Sequence, residues 1–195
     1  MVDFKALRYA KLVTLASSCV ACNLCSSRTQ VVFGDGPIET KYMLVGRDPG
    51  ENEDHYGKPF IGKAGQRLDK ALVKAGINRK EIYITNLVKC HTPNNVGPTK
   101  EQITSCVKWL IKEVDIIKPE KILLFGKEVA EYMLGMKLKP FSQHAGVEVI
   151  DQNGFVMIPM YHPSYLGYNA ANKELQNVFD EHIKKALTGC NEFSS

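Results

Sequence analysis

Apolar residues recur along this chain in two rhythms, and the alternation between them predicts the fold. Four short runs are nearly continuous: 41–45 through Tyr42, Met43, Leu44 and Val45; 81–86 through Ile82, Tyr83 and Ile84; 121–126 through Ile122, Leu123, Leu124 and Phe125; and 155–160 through Val156, Met157 and Ile158. Runs this short, bounded by turn residues, read as strands buried on both faces. Between them apolar residues fall three and four apart, the spacing of one helix face. Such stretches cover 3–16 (Phe4, Leu7, Ala10), about 64–75 (Ala64, Leu68, Ala71, Leu72, Ala75), Thr99 to just before Pro119 (Ile103, Val107, Leu110, Ile111, Val114, Ile117), a segment running to about Leu134, and about 171–187 (Leu175, Val178, Phe179, Ile183, Ala186). Gln102 stands where a capping box with Thr99 needs it, and Gly76 ends its helix as a C′ residue. The alternation predicts a three-layer α/β/α sandwich around a mainly parallel four-stranded sheet. With no repeat, low-complexity tract or linker, it also predicts a single domain: N-terminal helix and cysteine knuckle in 1–36, core in 37–187, polar tail in 188–195.

The polar segments that follow the strands change this picture from a scaffold into a site. Loops 46–63, 86–98 and 161–170 all leave the carboxyl ends of strands, which share one edge in a parallel sheet. Asp48, Asn86 and His162, far apart in the chain, can therefore converge there. The stretch 46–65 is far longer than the roughly 2–6 residues that usually join strand to helix. It holds four carboxylates, five glycines, two prolines and the apolar Phe60, and is read as a functional loop. Within it, Gly57 to Ala64 is a near-miss phosphate-binding loop. Ala64 replaces the hydroxyl residue that would hold Mg²⁺, and Pro59-Phe60 occupies positions where backbone N–H groups should face phosphate.

A hydrophobic content of 44% suffices for a domain with a real core, and a net charge of +4 permits nucleic-acid binding without calling for it. No apolar run approaches the roughly 20 residues of a membrane span. The N-terminus lacks the continuous apolar core of a signal peptide, so a cytoplasmic protein with reduced thiols is expected. Six cysteines then need another account. Cys19 and Cys22 have close ligand spacing, while Cys90 and Cys106 are separated by fifteen residues across a loop and the next helix. Four thiolates from these two segments could hold zinc or a [4Fe–4S] cluster. Cys25 extends the knuckle to C-x2-C-x2-C, so spacing leaves open which of its cysteines bind; Cys190, in the tail, is expected to be free.

Several long motifs in a fixed order then identify a resemblance. Cys19-Val-Ala-Cys22-Asn-Leu24, Arg28 and Val31-Val32-Phe33-Gly34-Asp35-Gly36 come first. Pro49-Gly50-Glu51-Asn52-Glu53-Asp54 and Gly57-Lys-Pro59-Phe60-Ile-Gly62-Lys-Ala64-Gly65 follow, then Ile84-Thr85-Asn86-Leu-Val88-Lys89-Cys90 and His162-Pro163-Ser164. Over roughly residues 15–187 the chain resembles the family 4 uracil-DNA glycosylases, the iron–sulfur branch found in archaea, thermophilic bacteria and some phages. The resemblance implies a DNA repair enzyme that releases uracil and leaves an abasic site. It assigns a structural [4Fe–4S] cluster, with zinc as the alternative, to Cys19, Cys22, Cys90 and Cys106, and leaves Cys25 out. It also implies a uracil pocket of Gly46, Glu53, Phe60 and Asn86: Phe60 stacking on the base, Asn86 bonding its edge, and Glu53 placed to crowd the C5 side.

One departure stands inside the first loop. Where the family has Glu and then a small residue, this chain has Arg47 and Asp48, so Gly46-Arg47-Asp48-Pro49 resembles the G-Q-D-P motif of the family 1 enzymes. Asp48 and His162 are thus the expected catalytic pair, the carboxylate orienting water and the imidazole facing O2. DNA contacts are expected from Arg47, Ser164, Tyr165 and Leu166, with Tyr165 or Leu166 as a wedge into the duplex. Lys58, Lys63 and Lys89 are further phosphate contacts to consider. The expected partner is uracil-containing DNA, single- or double-stranded, bound by a monomer. The competing readings are a DNA-binding relative that recognises a base without releasing it, and a glycosylase for another deaminated or 5-substituted base.

Overall fold

The computed structural model describes residues 3–189; Cys190 and the tail beyond it lie outside the described residues. The sheet is built from β1 (Tyr42–Gly46), β2 (Tyr83–Asn86), β3 (Lys121–Phe125), β4 (Val149–Ile150) and β5 (Val156–Met160), in the order β2-β1-β3-β5-β4. β1, β2, β3 and β5 are parallel, as the apolar runs predict, whereas β4 pairs antiparallel with β5. The expected four strands are therefore five. A two-residue edge strand with Ile150 exposed carries no periodic signal, which is why it escapes the hydrophobic pattern.

Strand side chains alternate between two cores. Leu44, Ile84, Leu123, Phe125 and Ile158 face one side, packed against α3 (Lys63–Lys74), α6 (Pro163–Tyr168) and α7 (Lys173–Thr188) through Leu68, Leu72, Leu166, Phe179 and Ile183. Met43, Val45, Ile122, Leu124 and Met157 face the other, packed against α4 (Lys100–Ile117) and α5 (Lys127–Leu134) through Leu110, Val114, Ile117 and Val129. The three-layer arrangement follows. Thr99 caps α4 in the expected capping box with Gln102.

Two of the segments read as loops contain helices. The stretch after β1 includes α2 (Glu51–Tyr56), and the stretch after β5 turns at once into α6, with His162 as its N-cap and Pro163 at its first position. Both helices are six residues long, too short to show a periodic face. β2 also begins at Tyr83 rather than 81, because Arg79–Glu81 forms a 3-10 turn held by the Asn78 side chain.

A third cluster attaches α1 (Phe4–Ser17) and the knuckle to α4, through Leu12, Ala16, Leu24, Phe33, Val88 and Trp109. Beside it lies a polar network in the protein interior. Lys89 and Glu113 form an ion pair in which the side chains are 1% and 0% exposed. Lys89 also donates to Thr85 Oγ1 (2.6 Å) and to the Asn86 carbonyl (2.7 Å), while Glu113 accepts from Tyr83 Oη (2.6 Å) and the Gly34 amide (3.3 Å). Tyr9 of α1 reaches both Tyr83 Oη (2.9 Å) and the Gly34 carbonyl (3.1 Å). Lys89, considered above as a phosphate contact, is thus a buried structural cation. Removing one member of such a pair strands the other charge. Lys89→Met should lower the unfolding free energy by about 3–5 kcal/mol, whereas Lys58→Met, at an exposed site, should change it by less than about 0.5 kcal/mol. Urea denaturation of the two variants measures the difference.

Candidate active site

The carboxyl ends of β1 and β2 are in register, with Gly46 beside Asn86, and the amides of Leu87 and Val88 donate to the carbonyls of Gly46 and Arg47. Gly46 has to be glycine. A Cβ there would lie 2.3 Å from Asn86 Oδ1 and 2.7 Å from the Phe60 ring, so these two side chains close directly over the bare Cα. Asn86 is 2% exposed and Phe60 is 6% exposed.

Phe60 reaches this position through an unusual backbone. Its φ is +54°, a left-handed conformation costing about 1–3 kcal/mol that persists only where the surroundings impose it. Glu53 supplies part of that constraint. Its Oε1 accepts from the amides of Ile61 (3.1 Å) and Gly62 (2.9 Å), just beyond Phe60, and Arg79 donates to the Pro59 carbonyl (3.0 Å) just before it. Gly65 closes the turn: a Cβ there would sit 1.7 Å from the Phe60 carbonyl oxygen. One oxygen of the Glu53 carboxylate is thus engaged in shaping the loop that presents Phe60.

The Phe60 ring also neighbours His162, with centroids 5.8 Å apart, and Phe125, at 5.9 Å. His162 Nδ1 accepts the Ser164 amide at 3.1 Å and lies 2.7 Å from Ser164 Oγ. A backbone N–H is an obligate donor, so the neutral imidazole carries its proton on Nε2. Burial lowers the His162 pKa, the Arg47 charge lowers it further and Asp48 partly opposes them, leaving it at about 4. Ser164, expected on DNA, thus sets the tautomer of His162.

The Asp48 side chain is 6% exposed and held from both sides. Oδ1 accepts from Arg47 Nε, and Oδ2 accepts from Thr92 Oγ1 at 2.7 Å. The outer edge of the Arg47 guanidinium pairs with Glu128 at 3.0 Å. The charges of Arg47 and Asp48 both act on His162, in opposite directions. Thr92 carries no signal in the sequence. It is a lone hydroxyl in a loop, and only the folded chain brings it to Asp48.

Among the residues expected on DNA, Leu166 does not face outward. It is 2% exposed and belongs to the core between α3 and α7, because the short helix α6 turns Pro163 and Leu166 inward. Tyr165 is 48% exposed and stacks on Tyr161, with ring centroids 5.7 Å apart and planes 14° apart.

The four expected cysteines line one pocket with Ala16, Arg28, Val31, Lys89 and Trp109. Three of their sulfurs already accept hydrogen bonds: Cys19 from Trp109 Nε1 (3.4 Å), Cys90 from Arg28 (3.3 Å) and Cys106 from the Lys89 amide (3.2 Å). Among the described residues, no group of three or more His, Cys, Asp or Glu closes in around a single metal ion. Four thiols around a common pocket, with N–H donors at three of them, have the chemistry of a donor set for a thiolate-ligated group.

The fold is an α/β sandwich in which Phe60, Asn86 and His162 gather at the carboxyl ends of the parallel strands. The uracil DNA glycosylase superfamily matches residues 33–186. The type-4 uracil-DNA glycosylase of Thermotoga maritima is 39% identical over 168 residues, covering 86% of this chain and 87% of that protein. That of Sulfurisphaera tokodaii is 35% identical over 175 residues, covering 86% of this chain and 78% of its own. A type-5 uracil-DNA glycosylase of Pyrobaculum aerophilum is 27% identical, covering 80% of this chain and 75% of that protein. This chain belongs to the uracil DNA glycosylase superfamily, in its type-4 branch.

Because the folded pKa of His162 lies below the free value of 6.5, the unfolded chain binds this proton first. The stability contributed by neutral His162 is complete above pH 6.5 and is lost as pH falls towards about 4. In proton NMR, the His162 Cε1–H signal should stay at its neutral position from pH 8 to about 5.5 and move only as pH nears 4. A midpoint at 6.5 would contradict this electrostatic setting.

Proposed function

We propose that this chain is a DNA repair glycosylase that hydrolyses the N-glycosidic bond of uracil flipped out of DNA, leaving an abasic site. The observation that supports it most is the closure of Phe60 and Asn86 over the bare Gly46 Cα, with His162 beside the Phe60 ring. Extruding a base costs a few kcal/mol, which a fitted pocket recovers. Phe60 supplies an aromatic surface for the ring. The Asn86 amide has both a donor and an acceptor, as the O4 and N3–H edge of uracil requires.

Breaking the bond from C1′ to N1 leaves its electron pair on the base, where charge gathers at O2, and leaves oxocarbenium character on the sugar. Donors already aimed at the developing charge stabilise it without reorganising. His162, neutral and protonated on Nε2, donates to O2 without transferring a proton. Asp48 opposes the sugar's positive charge and orients a water whose oxygen bonds to C1′, and it accepts the proton that water releases. Tyr165 is the wedge left once Leu166 is assigned to the core.

Cys19, Cys22, Cys90 and Cys106 would hold a [4Fe–4S] cluster. When bound, such a group ties the N-terminal knuckle to the segment that carries Asn86 and takes no part in base release.

A labelled oligonucleotide carrying one uracil, incubated with the protein and then treated with alkali, should break at that position. An intact strand despite tight binding would sink the glycosylase reading. Under single-turnover conditions Asp48→Asn should lose about 10²–10⁴-fold in rate while keeping its affinity for uracil-containing DNA. Freshly purified protein should be brown, with a broad band at about 400 nm; a colourless protein containing one zinc would reverse the cluster assignment.

A further inference from the structure

Both oxygens of the Asp48 carboxylate are engaged, each by a donor from a different segment. Arg47 Nε donates to Oδ1 from the adjacent residue, and Thr92 Oγ1 donates to Oδ2 at 2.7 Å from a loop 44 residues away. Thr92 is 1% exposed, so no water competes for its hydroxyl. The direction of that hydroxyl is also settled. Its oxygen accepts the Gly97 amide at 3.3 Å, which leaves its single proton for Asp48. The loop around Thr92 is itself fastened in place. His91 Nδ1 lies 2.8 Å from the Pro49 carbonyl, and the Asn95 amide donates to the Thr92 carbonyl at 3.0 Å. Gly97 packs so closely on the Arg47 guanidinium that a Cβ there would lie 2.8 Å from it.

We propose that Thr92 is a positioning residue for the reaction: its hydroxyl, together with Arg47, fixes the rotamer of Asp48 so that the remaining carboxylate lone pairs face the attacking water. This rests on the reading of Asp48 as the water-orienting group. A carboxylate oxygen can accept two hydrogen bonds, so one donor on each oxygen leaves one acceptor position on each. A free aspartate would rotate about χ1 and χ2, and only part of its population would hold water in line with C1′. Two donors from two segments remove that freedom before substrate arrives. Arg47 alone, bonded to the neighbouring residue, constrains one oxygen and leaves the carboxylate able to swing about it.

The test is a double-mutant cycle on single-turnover uracil release, using the full chain in excess over a uracil-containing duplex. Thr92→Val should reduce the rate about 10–100-fold, the scale of a lost hydrogen bond to a charged group, with DNA affinity within about threefold. Thr92→Ser, which restores the hydroxyl, should recover the rate to within about threefold of the original. In an Asp48→Asn background, Thr92→Val should have almost no further effect. Thr92→Ala replaces Thr92→Val in the cycle if thermal melting shows the valine variant to be unfolded. Unchanged rates in the variants lacking the hydroxyl would overturn the proposal. So would an equal loss with and without Asp48, which would mark Thr92 as a merely structural residue. Failure of the underlying reading has a separate signature, full activity of Asp48→Asn alone, and that result removes the proposal with it.

Discussion

The buried pair of Lys89 and Glu113 is the interaction on which the rest of the molecule depends. Two opposite charges without solvent need their remaining hydrogen-bonding positions filled, and here the pair and its partners come from three separate stretches of the chain. Tyr83 and Thr85 belong to β2, Gly34 to the lead-in from the knuckle, and Glu113 to α4. Lys89 itself faces two ways. Its ammonium holds the carbonyl of Asn86, and its amide donates to the sulfur of Cys106. One residue therefore joins the cysteine pocket to the end of the strand that carries Asn86.

That arrangement explains why the N-terminal arm is not an appendage. Tyr9 extends the network into α1, and the amide of Thr29 donates to Asp54 in α2 at 2.8 Å. Gln30 adds bonds to the carbonyls of Asp54 and His55. α2 in turn contains Glu53, whose carboxylate holds the turn at Phe60. The knuckle and its flanks thus connect to Asn86 through Lys89 and to Phe60 through α2.

Much of this was legible in the chain and some was not, for identifiable reasons. Buried parallel strands announce themselves as apolar runs, and long helices by spacing, so the layers and the edge where Asp48, Asn86 and His162 meet could be read directly. The two six-residue helices α2 and α6 could not, and the inward position of Leu166 was lost with the second of them. Glu113 did leave a trace, since it falls beside Leu110, Val114 and Ile117 on the apolar stripe of α4. A carboxylate there implies a buried cation, but nothing local names Lys89. Glu53 and Thr92 left none, because each acts on backbone or carboxylate atoms that only the tertiary fold brings near.

The bare Cα of Gly46 has a consequence for how such a pocket can diversify. Its floor is main chain, and no amino acid smaller than glycine exists to enlarge it. Any larger residue there would collide with Asn86 and Phe60 at once. Changes of side chain at this edge are therefore confined to the residues that the surrounding loops present. Arg47 and Asp48, where the chain departs from the family motif, come immediately after that glycine, and both side chains are held by partners from other segments.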